Sequence, residues 1–407
     1  MKSSTGRWVS GNDFFDRESE LLVLETRVRN GNHTLLTGQR RMGKTSIARE
    51  LGRRLEAEGW VFLFTDVEGA TDPEDAVAGI AQAAHPVRPI SSRFATGMRQ
   101  WIGDNIEEIG AHDFQVKIRA GLNAESWRRH GERLIRDCAE HHQPVLLVAD
   151  ELPIFLNGMY RADGNARRVG EFLSWLRGVV LNIERGSLVL MVSGSIGLAP
   201  LVKRLGIPDR INHLDPFRLG PWSREASVAC FERLVDSHGL SVEDGVANAV
   251  YDALGIGIPH HVQSFFARLR EFAIMRDRKQ VTMVDVPEVY RTGLLGASGQ
   301  NDLAHYETRL RDGLDDESYP IAMQILAEAA TQEVFTPDAR RHLESMYSTM
   351  LDDAAGRIAD ALDVLVHDGY LDAGDGGYRF QSNLLKDWWS ARFRDHHRPL
   401  VESRIAR

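Results

Sequence analysis

Apolar and polar positions change period along the chain, and those changes mark its elements. Over residues 14–29, Leu21, Leu24 and Val28 fall on one helical face, which predicts a helix. His33–Thr37 is a short apolar run that stops at a glycine-rich segment, and residues 45–58 read as a second helix. Trp60–Val67 is another apolar run. Asp72 and Pro73 then give the order of capping side chain and proline that opens a helix. Further runs occupy Val145–Ala149, Ser187–Ser193 and Ile211–Leu219. Five buried-looking runs separated by helices predict a parallel sheet covered on both faces.

Residues 84–130 break this rhythm with Pro86 and Pro89, and Phe114–Ile118 alternates as a hairpin strand would. They read as an insertion between the second and third strands. After Pro221 the strand pattern stops, and 223–238, 243–254 and 259–276 carry helical spacing. A last block reads as helices over 320–330, 336–348 and 353–369. Two short strands then flank Asp375-Gly376-Gly377, a hairpin signal. Three helices followed by a hairpin is the winged-helix order. The expected domains are therefore an α/β core over 1–220, a helical lid over 221–298 and a winged helix over 299–407.

The chain has 407 residues, of which 43% are hydrophobic and 26% charged, with a net charge of −9. That balance carries no global basic footprint for nucleic acid. Two cysteines, Cys138 and Cys230, exclude a disulfide scaffold or a structural zinc site. The basic N-terminal residues are followed by no apolar core, so no signal peptide is expected. The longest apolar stretch, Leu188–Val202, is interrupted by Ser193, Gly194, Ser195 and Gly197, and is too short to span a bilayer. The expectation is a cytoplasmic protein with no membrane contact.

Gly38-Gln39-Arg40-Arg41-Met42-Gly43-Lys44-Thr45 matches the phosphate-loop pattern G-x-x-x-x-G-K-[ST], placed after an apolar strand and at the start of a helix. There backbone N–H groups and the helix N-terminus can wrap a polyphosphate, with Ser46 in the same first turn. Lys44 would reach the β- and γ-phosphates, and Thr45 would offer its hydroxyl to Mg²⁺. The apolar run Val145–Ala149 ends in Asp150-Glu151. Asp150 would hold Mg²⁺ through water, and Glu151 would polarise a water for attack on the γ-phosphate.

Either Ser193 or Ser195, closing the fourth run, can hydrogen-bond the attacking water or the phosphate. Arg204 and Arg210 each fit two roles, an arginine presented to a neighbouring subunit's phosphates or a surface ion pair. Gly255-Ile256-Gly257-Ile258-Pro259-His260-His261 opens a helix in which Pro259 and His260 can approach nucleotide, or His260 can be a half-buried capping residue. The two histidines lack a third ligand of suitable spacing for a metal. No serine or cysteine nucleophile constellation stands out, so ATP/ADP with Mg²⁺ is the chemistry the chain declares.

Phe14-Phe15-Asp16-Arg17-Glu18-x-Glu20-Leu21, the phosphate loop running on to Ser46, Asp150-Glu151-Leu152-Pro153 and Ser193-Gly194-Ser195-Ile196-Gly197 occur in that order. Together they resemble the archaeal-type ATPases of the AAA+/STAND group, relatives of origin-recognition initiators and of nucleotide-driven signalling switches. The resemblance extends through Gly257-Ile258-Pro259 and His305-Tyr306-Glu307-Thr308-Arg309-Leu310 to the expected winged helix. It implies nucleotide bound between core and lid, with ATP favouring an open or assembled state and ADP a closed one. Initiators carry an arginine on the lid that reaches the γ-phosphate, but here Pro259 is followed by His260-His261.

The winged-helix block is acidic: residues 301–407 hold 20 Asp/Glu against 12 Lys/Arg. Its third helix carries Asp353, Asp360, Asp363 and Asp368 against Arg357, and the basic residues gather only in the tail, at Arg392, Arg394, Arg398, Arg404 and Arg407. Such a face repels phosphates, so a protein-contact or autoinhibitory role is expected over DNA binding. Arg161, Arg167 and Arg168, in a Gly/Asn-rich loop after Glu151, remain a candidate contact for nucleic acid or a partner. The function expected is a slow ATP-hydrolysing switch whose nucleotide state controls self-assembly or engagement of a separately encoded effector, in a defence or mobile-element setting. The alternative is a DNA-binding initiator- or transposition-helper-type ATPase.

Overall fold

The computed structural model describes residues 1–4, 6–87 and 110–402. Five parallel strands form one sheet in the order β2-β3-β4-β1-β5, with β1 at Thr34–Thr37, β2 at Val61–Asp66, β3 at Val145–Asp150, β4 at Leu188–Ser193 and β5 at Asp215–Arg218. β3 and β4 are buried at every position, as the near-continuous apolar runs require of central strands. Pro216 lies in β5, at an edge where its missing N–H costs no ladder bond.

Alternate residues of each strand feed opposite layers. Leu146, Val148, Val189 and Met191 pack on α1 (Glu18–Arg29) and α2 (Lys44–Ala57). Val145, Leu147, Leu190 and Val192 pack on α3 (Pro73–Ala84), α4 (Ala111–Gly121), α5 (Trp127–Ala139), α6 (Leu152–Asp163), α7 (Arg167–Leu181) and α8 (Leu198–Arg204). The five strands, their parallel sense and the two covered faces agree with the sequence reading.

Three expectations need correction. The first helix begins at Glu18, not residue 14, because Asp16 and Arg17 are left-handed (φ 60° and 77°) and Arg17 Nη2 donates to the Gly220 carbonyl at 2.8 Å. Phe114–Ile118 is helical, inside α4: Phe114 and Ile118 are buried one turn apart while Val116 is 54% exposed. Residues 111–139 thus belong to the layer over the sheet, Ala84 ends α3, and 88–109 of the expected insertion lie outside the described residues. Arg161 sits in the last turn of α6, and Arg167 and Arg168 open α7, so only a short turn at Gly164–Ala166 separates them.

Beyond the sheet come α9 (Arg224–His238), α10 (Val246–Leu254), α11 (Pro259–Met275), α12 (Asp285–Val289) and α13 (Ala297–Gly313). They are followed by α14 (Ser318–Thr331), α15 (Pro337–Tyr347), α16 (Ala354–His367), the antiparallel hairpin β6 (Leu371–Gly374) and β7 (Gly377–Phe380), and α17 (Asn383–Phe393). Phe335 bridges to Tyr378, adding a third short edge to the hairpin. One buried apolar cluster runs from Trp222 to Leu400, so the helices after the sheet and the hairpin block share a core. No described helix is long and apolar enough to cross a membrane.

Candidate functional site

The C-terminal ends of β1, β3 and β4 open into a cleft of about 690 Å³. Such a crevice at a change in strand order is the usual ligand position of an open parallel sheet. Three further elements close it. N-terminal residues, among them Arg7, Trp8, Phe14 and Phe15, pass across one side, α11 brings Pro259 and His260, and α13 brings Asp302, His305 and Arg309. The N-terminal segment is tied to both walls: Ser4 N donates to Gln263 Oε1 at 2.9 Å, and Val9 N to Ser46 Oγ at 3.1 Å.

The phosphate loop is shaped by two left-handed residues, Arg41 (φ 67°) and Gly43 (φ 88°), and by Gly38 at φ 149°. A Cβ on Gly38 would meet the Leu219 carbonyl at 2.6 Å, so only glycine fits there. Lys44 is buried and its Nζ donates to the carbonyls of Gly38 (2.7 Å) and Gln39 (3.0 Å); burial pushes its pKa down. Met42 is buried beneath the loop and anchors it to the α2 layer. The first-turn N–H groups of α2 have no acceptor within the helix and face the cleft mouth with the positive end of its dipole.

Thr45 Oγ1 donates to Asp150 Oδ2 at 2.7 Å, and Ser193 donates to Asp150 Oδ1. This pairs a hydroxyl and a carboxylate, hard oxygens of the kind Mg²⁺ takes. Glu151 is left-handed (φ 58°), which turns its side chain back toward the sheet. Its Oε2 accepts from Ser195 N at 2.7 Å and from Ser195 Oγ at 3.0 Å. Burial raises its pKa against these two donors.

The remaining sequence candidates divide. Arg40 is half-buried in the cleft, and its Nε has no hydrogen-bond partner. Gln39 is buried with both amide atoms unpartnered. Arg41 donates to His260 Nε2 and reaches Asp302 Oδ1 at 3.1 Å, so the loop, α11 and α13 meet at one guanidinium. His260 is held neutral, first by burial and then by the Arg41 charge beside it.

Arg210 does not line this cleft. It lies in a separate open groove with Arg128, Arg167 and Trp175. Arg204 is committed within the chain, donating to the Gly313 carbonyl at 2.9 Å and to Asn157 Oδ1 at 3.0 Å.

Sequence reasoning gave no role to several lining residues: Trp8, Arg49, Asp66, Glu68, Asp302 and Arg309, the last quoted only within the resemblance. Asp66 stands beside Asp150 in the β2–β3 register, which the end of the second apolar run could have suggested. The Arg309–Glu68 pair joins residues 241 apart in sequence, beyond any local signal.

The C-terminal block also packs against the phosphate loop and the turn after β4. A Cβ on Gly369 would lie 2.7 Å from Gln39 side-chain atoms, and one on Gly197 would lie 2.5 Å from His367. Asp368 is one of the carboxylates acting on Lys44. Asn157 donates to the Asp312 carbonyl, and Lys203 pairs with Asp363 on α16.

No family model matches this sequence, and no curated protein matches it either. Solved structures do resemble the fold. The Walker-type ATPase PABY2304 of Pyrococcus abyssi is 19% identical, with a TM-score of 0.62, over 95% of this chain and 99% of that one. The Aeropyrum pernix ORC2 protein, solved as ADPNP–ADP complexes, is 15% identical, with a TM-score of 0.56, over 95% of this chain and 97% of that one. The chain therefore shares the fold of these two proteins along nearly its whole length, with an α/β core built on a five-stranded parallel sheet.

Proposed function

We propose that this chain is an ATP-binding and ATP-hydrolysing switch of the AAA+/STAND kind, in which the block after Pro221 docks on the phosphate loop and is repositioned by nucleotide. The observation that carries this reading is the contact of Gly369 with Gln39 and the field of Asp368 on Lys44. A C-terminal block that packs on Gln39 of the phosphate loop, with Asp368 acting on Lys44 through its charge, responds to what fills the loop.

In this reading the loop N–H groups and Lys44 bind the β- and γ-phosphates, and Pro259 and His260 border the bound nucleotide. Thr45 and Asp150 would hold Mg²⁺, which neutralises charge between the phosphates. Ser193 orients Asp150. Glu151 accepts the proton of the attacking water once Ser195 yields it. Residues 1–220 act as the ATPase core, 221–298 as the lid and 299–407 as a winged helix that serves docking. Arg210, outside the cleft, is free to meet the phosphates of a neighbouring copy in an assembled state. A separately encoded effector is the natural recipient of the released surface.

The acidic face of α16 supports a docking role over DNA binding, because Asp363 is paired with Lys203 of the core. The test is the ATP hydrolysis rate with and without duplex DNA, with Glu151→Gln as the blank. A slow, DNA-indifferent, Glu151-dependent rate is expected. Strong DNA stimulation with a steep salt dependence would establish the DNA-handling alternative instead.

A further inference from the structure

The cleft-facing side of α13 is a single helical face. Asp302, His305 and Arg309, three and four residues apart, all line the cleft. Leu303, Tyr306 and Leu310, on the adjoining side, are buried in the C-terminal core. Two ion pairs fasten this face to the ATPase core: Arg41 with Asp302 at 3.1 Å, and Arg309 with Glu68, two residues past β2.

The second pair is asymmetric. The Arg309 side chain is 16% exposed, whereas that of Glu68 is 43% exposed. Arg309 is thus largely withdrawn from water, with a partner that can return to it at little cost. Arg40 lines the same cleft, and its Nε is buried without a partner. The ionised neighbours that act on Arg40 most are two cations, Arg309 and Arg41. The two half-buried guanidinium groups thus line one cleft, Arg40 from the phosphate loop and Arg309 from α13, and the cleft, about 690 Å³, has room for an anion. A guanidinium fork fits two oxygens of one phosphate.

We propose that Arg309 and Arg40 clamp the terminal phosphate of a nucleoside triphosphate, with Arg309 exchanging Glu68 for that phosphate. The clamp lies on α13 and not on the lid helix after Pro259, where His260 and His261 stand. It distinguishes tri- from diphosphate, and because α13 is built into the C-terminal core, the difference is passed directly to that core. The inference rests on the ATP-site reading above.

The test measures binding of ADP and of the β,γ-imido analogue of ATP, with Mg²⁺, to the full chain. Arg309→Ala is expected to weaken analogue binding roughly tenfold to a hundredfold while ADP binding changes less than about twofold, since a charge-assisted bond to the third phosphate alone is lost. Glu68→Gln frees Arg309 and is expected to tighten analogue binding about threefold or more, with ADP unchanged. An unaltered analogue-to-ADP ratio in a folded Arg309→Ala protein overturns the clamp. Should that variant fail to fold, an unaltered ratio in Glu68→Gln overturns it equally. Absence of binding of either nucleotide to the wild-type chain is a different result, because it removes the ATP reading itself.

Discussion

Ser195 holds Glu151 through two donors on one oxygen, its N–H at 2.7 Å and its hydroxyl at 3.0 Å. The carboxylate that would take a proton from water is thus spoken for in the described state, and burial works against its ionisation. Removing the hydroxyl leaves burial less opposed. In Ser195→Ala the acidic limb of the hydrolysis rate should therefore move to higher pH, by about one unit if the bond is worth about 1.4 kcal/mol. A pH–rate profile reads this directly. An unmoved limb would mean that another group sets it.

Glu151→Gln keeps the shape and removes the base. Hydrolysis should fall by about 10²–10⁴-fold, the usual worth of general base catalysis, with nucleotide affinity held within a few-fold. Single-turnover rates beside equilibrium binding separate the two effects.

Gly369 is left-handed (φ +78°) and faces Gln39 with no room for a Cβ. Gly369→Ala adds about 1–2 kcal/mol of backbone strain and a clash at the phosphate loop. The C-terminal block should undock more readily, seen as a larger radius of gyration in solution scattering and faster protease cleavage. Equal compactness of the two proteins would show that this contact does not hold the docked state.

Arg204 fastens the end of α13 to α6 from inside the core, through the Gly313 carbonyl and Asn157. Arg204→Ala leaves those acceptors without their donor and should lower thermal stability by about 1–3 kcal/mol. Arg210→Ala, in an open groove, should change stability by less than about 0.5 kcal/mol. Denaturant melts of both variants make the comparison.

The half-buried His213 and the buried His261 contribute to the acid side of stability. Burial pushes His213 down to about 4 and His261 down to about 3. Both fold in the neutral form, so the unfolded chain binds more protons once pH drops below about 6.5. Their contribution is intact above that pH and is lost as pH falls toward 4 and then 3. The denaturation midpoint should decline over that window, and His213→Gln should flatten its upper part.

The elements to which phosphate chemistry is assigned in the proposal were legible because local rules act on adjacent residues. Gly38 to Thr45 must form a loop between a strand and a helix, and Asp150 must follow a run that is buried at every position. Phe114–Ile118 was misread because five residues fit both periods. Phe114, Val116 and Ile118 alternate, yet only Phe114 and Ile118 are buried, at the i, i+4 spacing of a helix. The left-handed start at Asp16 and Arg17 was hidden because it depends on the distant Gly220 carbonyl. Arg309 escaped for the same reason. Its meaning lies in a partner 241 residues away in the sequence.

The buried cluster that joins Trp222 to Leu400 makes everything after the sheet one stiff arm. Its β6–β7 hairpin starts at Leu371, two residues after Gly369, the residue that meets Gln39. The hairpin is therefore a short handle beside the phosphate loop. A load placed on it, whatever its nature, is felt at the loop with only two residues of chain between them.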